Sequence, residues 1–197
     1  MLPESASVPT RKLARAAIVL TLAAAVASCS DPLGLNFTST NADQTFRVFA
    51  LSGTPVTDPN GMYFVARSVV RIDGNFAFDI AFDINAAGDP VILPVGLVGT
   101  AIGAQSAIGL KRVLGGYDAL VEAPRDGYVF DSVMVVKPRA AIAIQAQQGQ
   151  CAGSFTPYIF VKIAFDSVNV QTRALYGRTM INLNCGSRQL TPGVPKF

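Results

Sequence analysis

Residues 75–85 read NFAFDIAFDIN and alternate between large apolar side chains and small or acidic ones. The large apolar side chains that share one face are Phe76, Phe78, Ile80, Phe82 and Ile84. The side chains on the opposite face are Ala77, Asp79, Ala81 and Asp83. A period of two is typical of a β-strand that buries one face. We therefore predict a half-buried strand here, with Asp79 and Asp83 on the solvated face.

The rest of the chain shows shorter alternating runs separated by turn residues. We predict further strands at residues 45–51, 62–72, 117–123, 128–136, 141–147, 158–170 and 174–185. Turn-forming residues occupy 58–61, 73–75 and 124–127, where Gly and Asn tolerate a positive φ. No segment shows the apolar stripe of an amphipathic helix. The sequence therefore predicts one all-β domain, an antiparallel β-sandwich that is immunoglobulin-like or similar, with a barrel as the alternative.

Residues 91–110 carry no charged side chain, and their length alone would suit a transmembrane helix. Pro94, four glycines, Gln105 and Ser106 argue against such a helix. We predict a strand, a Gly-rich loop and a second strand, with membrane insertion as the alternative. The loop, near residues 99–109, is either a surface connection or a mobile binding loop.

A short motif recurs in the second half of the chain. Phe-Asp-Ser-Val stands at 130–133 and again at 165–168, and each copy is followed by an Arg-Ala pair. In both copies the apolar positions change from one parity to the other across Asp-Ser. A β-bulge, or a strand that crosses between sheets, would produce this change. Duplication and coincidence both remain possible origins of the repeat.

Composition excludes several kinds of chemistry. The 197 residues are 50% hydrophobic and 15% charged, and they include no His. A chain without His has no Ser-His-Asp triad, no Cys-His pair and no His-ligated metal. The net charge of +3 is too small to indicate a nucleic-acid partner. We assign no catalytic residue, no metal ligand and no cofactor.

The carboxylates offer little catalytic chemistry. Asp79 and Asp83, four residues apart on one strand, would have Cα atoms about 13 Å apart, which is too far for a glycosidase pair. Glu122 is the only Glu after residue 28, and the sequence names no partner for it. The stretches 73–75 and 83–85 contain possible calcium ligands, but these are also turn residues and lack EF-hand spacing.

The N-terminal segment carries an export pattern. Arg11, Lys12 and Arg15 precede an uncharged apolar run over 16–27, and small residues then lead to Cys29. The sequence Val-Ala-Ser-Cys at 26–29 resembles the lipobox of bacterial lipoproteins. The resemblance implies a signal peptide over 1–28 and a lipid on Cys29. Because Ser30 and not Asp follows the cysteine, it also implies the outer membrane, facing the periplasm or the cell surface. Ordinary cleavage near 25–27 and an uncleaved anchor are the alternatives.

The segment that follows Cys29 is polar and lacks periodicity as far as residue 44. We predict a flexible tether over 29–44 and the β-sandwich domain over 45–197. Two further cysteines, Cys151 and Cys185, lie in that domain. In an oxidising compartment an even pair indicates a disulfide, and two cysteines without His make a poor metal site.

Two functions follow as hypotheses. The first is a non-enzymatic lipoprotein, held in the membrane by lipid at Cys29, that binds an envelope protein or component through an edge strand or loops. The second is an envelope glycan hydrolase that uses Asp residues brought together by the fold. A third possibility is insertion into the membrane through 91–110. The sequence names no small-molecule ligand and indicates no nucleic-acid partner.

Overall fold

Two antiparallel sheets pack against each other, which confirms the predicted β-sandwich. The computed structural model describes residues 37–73, 77–98, 107–130, 132–137, 139–154 and 156–196. The strands are β1 (Asp43–Phe49), β2 (Gly61–Tyr63), β3 (Ser68–Val70), β4 (Ile80–Ile84), β5 (Pro90–Pro94), β6 (Ile108–Val113), β7 (Val129–Phe130), β8 (Met134–Val135), β9 (Ala141–Gln147), β10 (Tyr158–Asn169) and β11 (Ala174–Asn182). A four-residue helix, α1 (Val95–Val98), and a 3₁₀ turn (Gly149–Cys151) complete the elements of the described residues.

The larger sheet has the order β1-β11-β10-β9-β6-β7, and the smaller has the order β3-β2-β4-β5-β8. The edge strands of the larger sheet are therefore β1 and β7, and those of the smaller sheet are β3 and β8. Strands β9, β10 and β11 follow one another as a meander, whereas an immunoglobulin constant domain pairs its strands as ABED and CFG. The chain thus has the sandwich architecture with its own strand order.

Alternate residues of the strands form the core between the sheets. Phe78, Ile80, Phe82 and Ile84 are buried there, as the alternation predicted, while Phe76 lies outside the described residues. The rings of Phe46 and Phe82 stack with centroids 5.6 Å apart, and Phe165 stands edge-on to each at 5.9 Å. Because Phe82 belongs to the smaller sheet and the other two to the larger, this aromatic trio joins the layers.

A second apolar cluster covers the outer face of the larger sheet. Its buried members include Phe160, Met180 and Ala143 from the strands, together with Tyr117 and Leu120 from the segment between β6 and β7. Residues 117–119 form a turn, and the only ladder contact of the segment is a bridge from Glu122 to Gln189. The predicted strand at 117–123 is therefore wrong. Its apolar residues are spaced to pack on a sheet, not to extend one.

The predicted strand at 62–72 is also wrong, because a turn divides it into β2 and β3. The amide of Arg67 donates to the carbonyl of Phe64 (2.9 Å), and Arg67 has a left-handed φ of 50°. Phe64 is completely buried at the start of this turn. Because the apolar alternation continues through this turn, the sequence pattern does not show where β2 ends.

In the two copies of Phe-Asp-Ser-Val, the apolar side chains change between odd and even positions for different structural reasons. In the first copy, Phe130 ends β7 in the larger sheet and Met134 begins β8 in the smaller, so the chain crosses between sheets. In the second, the pairing of β10 with β11 shifts between Phe165 and Ser167, as expected for a bulge at Asp166. Both predicted explanations are thus confirmed, one in each copy. The bulge keeps Phe165 and Val168 packed against the same core.

The uncharged stretch 91–110 contributes β5, α1 and the start of β6, in agreement with a strand at each end. Residues 99–106, which contain most of the predicted loop, lie outside the described residues, as do residues 74–76 of the predicted hairpin. In the parts of the chain that the structure describes, no helix is long and apolar enough to cross a membrane.

Strand β1 begins at Asp43, two residues before the predicted domain boundary. The preceding residues already contact the domain, since the amides of Thr38 and Ser39 donate to Asn184 Oδ1 at 3.0 and 2.9 Å. Asn41 exchanges two backbone hydrogen bonds with Gly193, each of 2.9 Å. The polar side chains of residues 38–41 made this stretch resemble a tether. Its backbone, however, forms hydrogen bonds with the segment that follows β11.

Gly177 provides a test of packing between β1, β10 and β11. A Cβ atom there would collide with the carbonyl of Ala164 and would lie 2.7 Å from Phe46 Cζ. We expect Gly177→Ala to lower the free energy of unfolding by about 2–3 kcal/mol, because the trio has to move. Urea denaturation measures this. Gly149→Ala is the control, since nothing lies within 4 Å of that position. Equal stability of both variants would contradict this account of the packing.

Candidate functional site

Cys151 and Cys185 form a disulfide with their Cα atoms 5.5 Å apart, as predicted. It joins the 3₁₀ turn after β9 to the segment after β11, and Cys151 is completely buried. The predicted lipidation site, Cys29, lies outside the described residues.

Asp79 is buried, with an exposed fraction of 3%, so its predicted place on a solvated face is wrong. Its Oδ2 accepts a hydrogen bond from the amide of Phe64 (2.6 Å), and its Oδ1 accepts one from Gln148 Nε2 (2.7 Å). Burial raises the pKa of Asp79, although the two hydrogen bonds oppose that effect. The residue fixes the turn after β2 to the segment after β9, and this role explains why a carboxylate lies inside the protein.

Asp83 belongs to an ionic network at the end of the smaller sheet. Its Oδ1 accepts a hydrogen bond from Arg173 Nη2 (2.9 Å), and Ser52 Oγ donates to the same carboxylate at 2.8 Å. Arg173 also donates to the carbonyls of Ser52 (2.6 Å) and Ile84 (3.1 Å). Asp83 therefore connects the start of β11 to β4. Within the part of the chain that the structure describes, it shares no hydrogen-bond partner with Asp79, so the two carboxylates belong to separate networks.

Two further candidates from the sequence, the carboxylate of Glu122 and the possible calcium ligand Asn85, also have structural partners. Glu122 pairs with Arg188. Asn85 Oδ1 accepts hydrogen bonds from the amides of Ala87 and Asp89, each 2.9 Å long, which is turn chemistry. Among the described residues, no three His, Cys, Asp or Glu side chains are placed to hold a metal ion.

A polar cluster that the sequence did not predict lies on the outer face of the larger sheet. Lys162 on β10 is exposed by only 4%, and its Nζ lies 4.3 Å from the centroid of the Tyr117 ring. Lys162 Nζ also donates to the carbonyls of Tyr117 (3.3 Å) and Leu120 (3.1 Å). Arg178 lies 4.7 Å from the same ring centroid. The cluster holds the 117–120 turn on the sheet.

Charge and burial in this cluster affect its titratable groups. Burial lowers the pKa of Lys162, while the nearby carboxylates Asp43 and Asp118 act in the opposite direction. Burial also raises the pKa of Tyr117, whose hydroxyl donates to Asp43 Oδ1 (2.7 Å). A single apolar-looking strand with one lysine in it, YIFVKIAF at 158–165, was the available signal for this arrangement.

Asp118 and Asp166 meet at Arg178. Each carboxylate lies 3.2 Å from a nitrogen of that guanidinium, and the three residues line one open groove of about 690 Å³. The repeated Phe-Asp-Ser-Val motif predicted a bulge at Asp-Ser, or a crossing between sheets, and so drew attention to the position of Asp166. Nothing in the sequence pointed to Asp118, which comes from a turn far away in the chain.

A second groove, of about 640 Å³, runs between the edge strands β1 and β3. Apolar residues in its lining are Phe46, Met62 and Val69, and polar ones include Asp43, Thr45, Arg47 and Arg67. We call it the β1 groove. It is the candidate binding site of this chain because it combines an open strand edge with apolar and cationic side chains.

The chain matches no protein-family model, and comparison with curated proteins and with solved structures likewise returns no match. The class of the protein is therefore stated from its own architecture, which is an all-β, disulfide-linked sandwich.

The disulfide yields a prediction on stability. Replacing both cysteines, in the double variant Cys151→Ala/Cys185→Ala, should lower the free energy of unfolding by about 4 kcal/mol, from the chain entropy of a loop spanning a sequence separation of 34. Urea denaturation of the variant, and of the parent with and without reductant, measures this. A parent whose stability is unchanged by reductant would show that the bond is absent or contributes nothing.

Asp79 yields a prediction on pH dependence. Its raised pKa means that the folded chain binds a proton more tightly than the unfolded chain, so its contribution to stability falls as pH rises above 3.8 towards its folded pKa. Asp79→Asn removes this dependence, because an amide does not titrate. The difference in free energy of unfolding, variant minus parent, should therefore increase over that pH interval in urea titrations.

Asp79→Ala is the companion variant. This substitution leaves the Phe64 amide and Gln148 without their acceptor. We therefore expect it to lower the free energy of unfolding by about 2–4 kcal/mol at neutral pH. If the difference in free energy of unfolding between Asp79→Asn and the parent does not change with pH, the raised pKa of Asp79 is contradicted.

Proposed function

We propose that this chain is a lipid-anchored, non-enzymatic β-sandwich lipoprotein that binds a protein partner at the cell envelope. The observation that carries the proposal is the segment 11–29, in which basic residues, an apolar run and small residues lead to Cys29. The resemblance of this segment to a lipobox supports a lipid on Cys29 and a domain held at the outer membrane, facing the periplasm or the cell surface.

The remaining cysteines support export. Cys151 and Cys185 are joined to each other, and such bonds persist in extracytoplasmic compartments and are rare in the cytosol. Of the three cysteines of the chain, Cys29 is the one outside this disulfide, so it is the one available for lipid attachment. The contacts of residues 38–41 with Asn184 and Gly193 leave the chain before residue 37 as the link between lipid and domain.

The use of the charged residues supports a binding role over a catalytic one. Asp79, Asp83 and Glu122 are each engaged by groups that link strands or turns. Asp118 and Asp166 share a groove, which is the feature that favours the alternative of a glycan hydrolase. Both, however, are paired with Arg178, whereas the two carboxyl groups of a glycosidase flank the scissile bond of the sugar.

The proposal predicts a specific mass. The full chain is expressed in a diderm bacterium, extracted from membranes in detergent, and weighed intact before and after reduction with alkylation. We expect a chain that begins at Cys29 and carries acyl groups, with two thiols that are alkylated only after reduction. A mass that retains residues 1–28, or that lacks acyl groups, would overturn the anchor.

Variants around the cysteine sharpen the test. Cys29→Ser should abolish the acyl mass and release the protein from the membrane fraction, whereas Ser28→Ala should behave like the parent because it keeps a small residue before Cys29. Ser30→Asp should move the protein from the outer to the inner membrane fraction. An unchanged distribution for Ser30→Asp would contradict the assignment to the outer membrane and leave the lipid itself intact.

A further inference from the structure

The outer edge of β1 is open only over a short window. The amide of Ala50 donates to Arg173 on the β11 side, while the amide of Phe49 donates to Pro59 on the opposite side. Because backbone groups of a strand alternate in direction, Asp43, Thr45 and Arg47 also direct their N–H and C=O groups away from β11. Asn41 faces the same way and pairs with Gly193. Within the described residues, the unpaired edge is therefore limited to 43–47.

The two ends of this window are closed by the chain itself. Pro59 lies beside Phe49, and Gly193 lies beside Asn41. The open stretch between them is about 14 Å long, which corresponds to a strand of five residues. The β1 groove lies along this window. Its size and its closed ends fit a short extended segment.

The cationic side chains that line the groove are Arg47 and Arg67. Arg67 donates from Nη2 to Ser39 Oγ (2.6 Å), and its Nε is buried without a hydrogen-bond partner among the described residues. Arg47 contacts the rings of Phe49 and Tyr176, at 4.7 and 5.7 Å from their centroids. Neither guanidinium has an ion pair within the described part of the chain, while Asp43, the one carboxylate of the lining, accepts a hydrogen bond from Tyr117.

We propose that the β1 groove binds an extended, acidic segment of a partner protein as an additional strand beside β1, with a carboxylate of that segment on the guanidinium of Arg67. This inference rests on the proposed function, since it names the site and chemistry of the partner. Main-chain hydrogen bonds to Asp43, Thr45 and Arg47 supply affinity. Side chains that point inward contact Phe46, Met62 and Val69, and the carboxylate supplies selectivity.

A second copy of the chain fits the window less well. An antiparallel pair of β1 strands centred on Thr45 would set Asp43 opposite Arg47 of the other copy, which is favourable. It would also set Asn41 opposite Phe49, where Gly193 of one copy and Pro59 of the other already occupy the edge. A short peptide avoids this collision because its ends can leave the plane of the sheet.

The test uses the purified full chain and a labelled peptide, acetyl-Thr-Glu-Thr-Val-Thr-Glu-Thr-amide, in fluorescence anisotropy. The peptide is palindromic, so either strand direction places a Glu towards Arg67 and the Val towards Phe46. We expect saturable binding that weakens about tenfold when Gln replaces both Glu residues or when Arg67→Asn removes the charge. Asn tolerates the left-handed φ of 50° at this position, so the fold is kept.

Backbone variants separate strand addition from simple charge attraction. Thr45→Pro removes one outward N–H and no hydrogen bond to β11, so it should abolish binding while urea denaturation shows a folded chain. Thr45→Val keeps the N–H and should bind like the parent. Arg125→Gln is the matched charge control, because Arg125 precedes β7 at the opposite edge of the sheet. Unchanged binding by Arg67→Asn, or by Thr45→Pro, overturns the proposal.

Other outcomes would assign the groove to other occupants. A concentration-dependent dimer in sedimentation velocity that Thr45→Pro dissolves would assign it to a second copy. Tighter peptide binding by Asp31→Asn would show that the preceding segment of this chain competes for the groove. Either result overturns a partner-binding groove, as does the absence of saturable binding at millimolar peptide. The mass measurement is independent of these results, so failure of the anchor and failure of the groove are distinguishable.

Discussion

Contact among the rings of Phe46, Phe82 and Phe165 is the interaction on which the two layers depend. The trio brings β1, β4 and β10 together within 6 Å between ring centroids, and β4 is in the opposite sheet from the other two strands. Phe46 can approach only because Gly177 has no side chain at the facing position. The bulge at Asp166 then allows Val168 to return to the same core after Phe165. Aromatic packing, one glycine and one inserted residue thus determine how the sheets meet.

The same bulge also determines which side chains meet on the outer face of the larger sheet. Asp166 is the extra residue of β10, and its carboxylate lies beside Arg178 on the outer face of the larger sheet. Arg178 in turn lies against Tyr117, which packs on Lys162. The strand-crossing copy of the motif has a different consequence, because it moves the chain from the larger to the smaller sheet between Phe130 and Met134. One local sequence therefore produces an ionic cluster in one place and a change of sheet in another.

The sequence predicted those features that depend on neighbours along the chain. Alternation located β4, β9, β10 and β11, because a strand that buries one face shows its period directly. It failed where the same apolar spacing serves another purpose, as at Tyr117 and Leu120, which lie on a sheet without joining it. It also failed at Asp79, because the amide of Phe64 and Gln148 are partners from distant segments. The β1 groove was beyond prediction for the same reason, since β3 and β1 meet only in the folded chain.

An open strand edge usually carries a defence against unspecific pairing. Here the outward positions of β1 alternate Asp43, Thr45 and Arg47, so an apolar strand from another molecule would have to desolvate a carboxylate and a guanidinium to pair with it. Pro59 and Gly193 further restrict the edge to five residues. These features disfavour a long, flat, uncharged strand. They leave a short strand with its own carboxylate as the segment that satisfies the backbone and neutralises Arg67 together. In the binding mode proposed for the β1 groove, charge therefore has two roles, because Asp43 and Arg47 protect the edge and Arg67 selects the partner.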